Sequence, residues 1–70
     1  MTYEEFVNEI KTAAAGCPAE WRRGQSVFNV IEERYHVGHK VRELGADCFY
    51  DDSLIEKFIR KAWDFVRKRG

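Results

Sequence analysis

Four side chains of this 70-residue chain, Cys17, His36, His39 and Cys48, are of the donor types that make a tetrahedral zinc site. Their spacing argues against one. Structural zinc draws its ligands in close pairs such as C-x2-C, and here only the two histidines are close, across a glycine that interrupts helical periodicity. A Cys–His nucleophilic pair is open to the same inventory, because either thiol could lie near either imidazole once the chain folds. Nothing in the spacing selects such a pair. No Gly-rich phosphate loop, H-E-x-x-H, G-x-S-x-G or carboxylate cluster is present, and Asp51-Asp52 reads as helix capping. The plainer reading is surface histidines and ordinary buried or half-buried thiols. No metal, cofactor or catalytic role is expected, and a core this small leaves little room for a deep, water-excluding pocket.

A second chemistry is phosphate binding. Arg60, Lys61, Arg67 and Lys68 could line a polyanion, and a three-helix bundle is also the architecture of many helix-turn-helix readers. Glu56 and Asp64 lie among these cations, however, and cations near a helix C-terminus are expected on dipole grounds alone. Lysine plus arginine and aspartate plus glutamate number twelve each, so no net field draws the whole molecule to nucleic acid or anionic lipid. The charge is uneven along the chain, with an acidic head (Glu4, Glu5, Glu9) and a basic tail. Nucleic-acid binding is therefore the alternative reading.

The least generic residues lie in the middle, Trp21-Arg22-Arg23-Gly24-Gln25 with Phe28-Asn29 one turn later. Gln25 and Asn29 are four apart, so on a helix they share a face and could jointly hydrogen-bond a peptide backbone. That backbone is either internal, in the 45–50 loop, or a partner's. The internal role is favoured, because buried loop amides must be satisfied somewhere. If the domain binds a protein, Trp21, Arg22, Arg23, Gln25, Asn29 and Tyr50 are the residues to carry it.

Three amphipathic helices must position these groups. Thr2 and Glu5 stand at capping-box spacing, and Phe6, Val7, Ile10, Ala13 and Ala14 follow on one face until Gly16 and Pro18 stop the run, which predicts a helix over 2–15. A second helix begins near Pro18 or just after it and ends near Tyr35 or His36, with Trp21, Gly24, Phe28, Ile31 and Tyr35 as its core stripe and Val27 and Val30 widening it. Gly24 costs about 1 kcal/mol relative to alanine inside a helix, so it marks either close backbone contact or a helix that starts only around Arg23. Val37 to Gly45 reads as a short extra turn with Val41 and Leu44 as its apolar face. Phe49 and Tyr50, in the following loop, are expected to tuck over the core edge. Asp51, Asp52 or Ser53 caps the last helix, with Ser53 and Glu56 offering another capping box. Leu54, Ile55, Phe58, Ile59, Ala62, Trp63, Phe65 and Val66 then leave polar residues on the opposite face through Arg69.

Two segments carry a resemblance. Trp21 to Asn29, with its R-x-G-Q-x-x-F-N pattern, and Asp47 to Asp52, with D-x-F-Y-D-D, resemble a loose group of short uncharacterised bacterial and phage-associated helical proteins. The similarity spans the middle half of the chain. In that group the second segment often reads D-P-F-Y-D-D, which implies that Cys48 fills a turn position taken elsewhere by proline. The resemblance implies the fold and a microbial or mobile-element origin, and it carries no activity.

The expected fold is all-α, a compact bundle of three main helices plus a short one, in a single domain over 1–70. The first residues lack the basic start and apolar run of a signal peptide, and no stretch approaches the roughly 20 apolar residues of a membrane helix. With two cysteines at most one internal disulfide is available, which fits a reducing cytosolic setting and no membrane partner. The expected function is a non-enzymatic interaction or accessory module that binds a protein partner or itself.

Overall fold

The computed structural model describes residues 1–69, which form α1 (Tyr3–Ala15), α2 (Arg23–Tyr35), α3 (Gly38–Glu43) and α4 (Ile55–Arg67), with a 3-10 turn over Asp52–Leu54 leading into α4. The fold is all-α, as the periodicity predicts. The Cα radius of gyration is 10.9 Å, matching the roughly 11 Å of a well-packed chain this long.

The start of α1 is fixed by the capping box. The Glu5 amide donates to the Thr2 hydroxyl at 3.1 Å and the Thr2 amide donates to the Glu5 carboxylate at 2.7 Å. These bonds with Thr2 hold the Glu5 carboxyl below the usual carboxylate range. Phe6 and Ile10 then point into the core.

The second helix begins at Arg23, the later of the two starts that Gly24 left open, and not near Pro18. Residues 18–21 instead make a turn, closed by the Trp21 amide on the Pro18 carbonyl at 3.1 Å. Trp21 therefore leaves the core stripe, which runs Gly24, Val27, Phe28, Val30 and Ile31. The helix ends on His36, whose amide makes the last bond of the ladder to the Glu32 carbonyl at 2.9 Å and whose left-handed φ of 58° then turns the chain out of the helix.

The short third helix is present, but Leu44 is 55% exposed and does not join Val41 in the core. The last helix is entered through Asp51, one of the three expected caps, and stops short of the expected Arg69. Asp51, not a Ser53–Glu56 box, caps the entry: its carboxylate accepts the Ser53 amide at 2.9 Å and the Ser53 hydroxyl at 2.6 Å. Those bonds hold the Asp51 carboxyl below the usual carboxylate range. An Asx turn followed by a 3-10 turn sets the entry angle, where a direct box on Ser53 would start the α-helix one residue earlier, at Leu54. The helix ends at Arg67.

Side-chain contacts give the topology. Glu9 on α1 takes both the Arg34 guanidinium (3.0 Å) and the Tyr35 hydroxyl (2.6 Å), so α2 runs antiparallel to α1. Lys11 pairs with Glu56 at 3.1 Å, while Trp63 packs on Tyr3 and Phe6 with ring centroids 6.1 and 5.3 Å apart. The last helix is thus also antiparallel to the first. One core joins the helices, with Phe6, Ile10, Phe28, Ile31, Val37, Val41, Phe58 and Ile59 at its centre. The end of α1 and the starts of α2 and α4 converge at one pole of the bundle, and α3 returns the chain to that pole. Among the described residues no helix is long and apolar enough to cross a membrane.

Candidate functional site

At the converging pole the loop 46–51 is clamped onto the first turn of α2. Gly24 makes this approach sterically feasible, since a Cβ there would collide with the Cys48 carbonyl oxygen. Side chains of each segment then bond the backbone of the other. The Cys48 thiol donates to the Gly24 carbonyl at 3.2 Å, the Asp52 carboxylate accepts the Gly24 amide at 3.0 Å, and the Arg22 guanidinium donates to the Tyr50 carbonyl at 2.7 Å. Asp47 closes the far side, taking the Phe49 amide on one oxygen and Arg42 on the other, each at 2.9 Å. The Arg42 guanidinium lies 4.5 Å over the Phe28 ring, and Phe49 meets Phe28 edge-on at 5.5 Å.

This clamp accounts for Arg22, Gly24, Phe28, Asp47, Phe49, Asp51 and Asp52. It does not involve Gln25 or Asn29. Both are half-buried on α2, and among the described residues neither side chain bonds the 45–50 loop, so the internal role expected of them is filled by Arg22, Asp47 and Asp52 instead. Tyr50 does not tuck over the core either. Its ring is 70% exposed and stacks on Phe49 at 4.8 Å while its carbonyl is held by Arg22. The loop is too short to bury both aromatics, and Phe49 occupies the available edge.

The thiols and imidazoles stay apart. Among the described residues no three ligating side chains come together. Cys48 is fully buried, and burial, followed by the nearby Asp47 charge, pushes its thiol up to about 12, so it is not a nucleophile at neutral pH. Cys17 is half-buried, its thiol 3.7 Å from the Ala13 carbonyl. His36 and His39 are exposed, and His39 sits edge-on to Phe28.

On the other side of the clamp, a cleft of about 400 Å³ opens between the end of α1, the start of α2 and the entry to α4. Trp21 and Arg23 line it, so the six partner-binding candidates divide between two surfaces. Lys11, Cys17, Ser26, Asp52, Ile55 and Glu56 line it too. Ser26 carries no periodic signal in the sequence, because it falls beside the apolar stripe of α2.

The basic residues of α4 have mixed surroundings. Arg60 lies 5.0 Å over the Tyr3 ring, Arg67 pairs with Asp64 at 3.4 Å, Lys61 is half-buried and Lys68 is exposed. Comparison of the chain with protein-family models, curated proteins and solved structures returns no match.

Proposed function

We propose that this protein is a non-enzymatic interaction module of microbial or mobile-element origin, working in the cytosol, whose docking surface is the clamped corner presenting Tyr50, Gln25 and Asn29. The observation that carries this reading is Tyr50, whose ring is exposed yet packed against Phe49 while its backbone carbonyl is anchored by Arg22. A large amphipathic side chain held rigid in water loses little entropy on binding, which is the property of interface hot spots. Gln25 and Asn29 add side-chain amides that are not consumed by the fold and can pair with a partner's backbone.

The test is quantitative capture from the native host with wild type, Tyr50→Ala and Gln25→Ala/Asn29→Ala, alongside sedimentation of the purified chain. A species retained by wild type and lost with both variants, each folded by circular dichroism, supports a partner. Concentration-dependent dimerisation lost with the same variants supports self-association. Identical behaviour of all three proteins in both assays overturns the reading.

A second reading is supported by one feature of α4. Lys57, Lys61 and Lys68 recur along one helical stripe, and among the described residues none of them forms an ion pair. Such a stripe suits a phosphate backbone.

A further inference from the structure

We propose that the cleft between α1, α2 and α4 is a binding site for a small monocarboxylate with a compact apolar body. This is independent of the docking corner, which lies on the opposite side of the clamp. At about 400 Å³ the cleft falls in the size range of small-molecule sites.

The argument begins with Ser26. The residue is 5% exposed and lines the cleft, its hydroxyl has no hydrogen-bond partner among the described residues, and no polar side-chain atom there is both fully buried and unpaired. What little of Ser26 meets solvent therefore includes the hydroxyl, which faces the cleft. An unpaired hydroxyl in so enclosed a position is a polar contact waiting for a ligand.

The surrounding groups set the sign of that ligand. Of the charged residues lining the cleft, Lys11 and Glu56 neutralise each other and Asp52 is bound to the Gly24 amide. Arg23 has no acidic partner among the described residues, and the Trp21 indole N–H has no acceptor. The remaining free groups are donors. They stand at the positive end of α2, a 13-residue helix, with the start of α4 beside it. A carboxylate answers all of these, bidentate on the Arg23 guanidinium and accepting from Ser26. A phosphate dianion does not suit the site, because the Asp52 carboxylate, held only by the neutral Gly24 amide, also lines it and leaves Arg23, among the described residues lining the cleft, as the one unpaired cation for two negative charges. Ala14, Pro18, Val27 and Ile55 supply the apolar wall for the ligand's body.

The test is an amide-detected NMR titration of the intact chain with benzoate, phenylacetate and indole-3-acetate, each paired with its neutral primary amide. Saturable shifts at Arg23, Ser26, Val27 and the Trp21 indole, with a Kd below about 1 mM for one acid and at least about tenfold weaker binding of its amide, support the site. Arg23→Gln should weaken that acid about tenfold and Ser26→Ala several-fold, as expected for charge-assisted and neutral hydrogen bonds. Arg23 is exposed and Ser26→Ala removes only the hydroxyl oxygen from a buried side chain, and unchanged spectra elsewhere show that the fold is kept. Absence of saturable shifts for every acid at about 10 mM, equal binding of acids and amides, or shifts confined to the α4 lysines each overturn it.

Discussion

The Asp52 carboxylate caps α2 from 28 residues along the chain, accepting the Gly24 amide at 3.0 Å. That amide is in the first turn of α2, where no local side chain caps the end, since the N-cap is Arg22. One carboxylate thus replaces the missing local cap and pins the loop that precedes α4. Helix start and loop position are fixed by the same bond.

Replacing Asp52 with alanine should therefore cost about 1 kcal/mol, the usual value of a lost N-cap, while Asp52→Asn retains most of it because asparagine caps nearly as well. Urea unfolding followed by circular dichroism measures both. Equal losses for the two variants would mean that charge, not the hydrogen bond, holds the corner.

Gly24→Ala gives a sharper sign test. Helix propensity alone favours alanine by about 1 kcal/mol. The collision of the new Cβ with the Cys48 carbonyl must instead push the loop away, and overpacking of this kind costs about 1–3 kcal/mol. The expected result is net destabilisation in a urea melt, with the largest amide shifts in residues 46–52. A stabilised variant would show that the loop is not clamped in solution.

The helices were legible because burial is periodic: Phe6 and Ile10, then Phe58, Ile59 and Ala62, recur on single faces and are buried. The corner was only half legible. Gly24 signalled close backbone contact, and the contact is there, but nothing local in the sequence says that Asp52 belongs to α2. The Ser53–Glu56 spacing misled for a related reason, since Asp51 satisfies the Ser53 amide first. Trp21 sat at helical spacing yet falls in the Pro18 turn, because spacing cannot register a helix that starts two residues later.

Alkali should unfold the protein earlier than its helix content implies. Burial, helped by the Glu9 hydrogen bond, raises the Tyr35 hydroxyl from 10.0 to about 12, and burial raises the Cys48 thiol from 9.0 to about 12. In both cases the folded state holds the proton more tightly, so the stabilisation is complete below the unfolded pKa and is lost as pH rises toward 12. Stability measured across pH 8 to 12 should fall from about pH 9 onward. Tyr35→Phe should flatten the part of the decline above about pH 10.

The two thiols should also separate kinetically. Disulfide-exchange reagents at pH 8 should modify Cys17, half-buried at the cleft, while leaving Cys48 protonated and inaccessible until denaturant is added. Two fast equivalents in the native protein would mean that the clamp opens on the timescale of the reaction.

Polyanion binding gives the decisive contrast between the two surfaces. Lys57, Lys61 and Lys68 span roughly 16 Å of helix at 1.5 Å per residue, a length that reaches several phosphates of a single strand. Zero net charge means that any binding must come from a local cluster of cations and must be strongly salt-dependent. Fluorescence anisotropy with a single-stranded oligonucleotide at low salt should therefore respond to Lys57→Glu/Lys61→Glu/Lys68→Glu and not to Tyr50→Ala. If all three lysines contact phosphate, the triple variant should lose the salt slope of about 0.7 per contact along with the affinity. No wild-type binding at low salt would remove the nucleic-acid reading, and binding abolished by Tyr50→Ala would move it from α4 to the clamped corner.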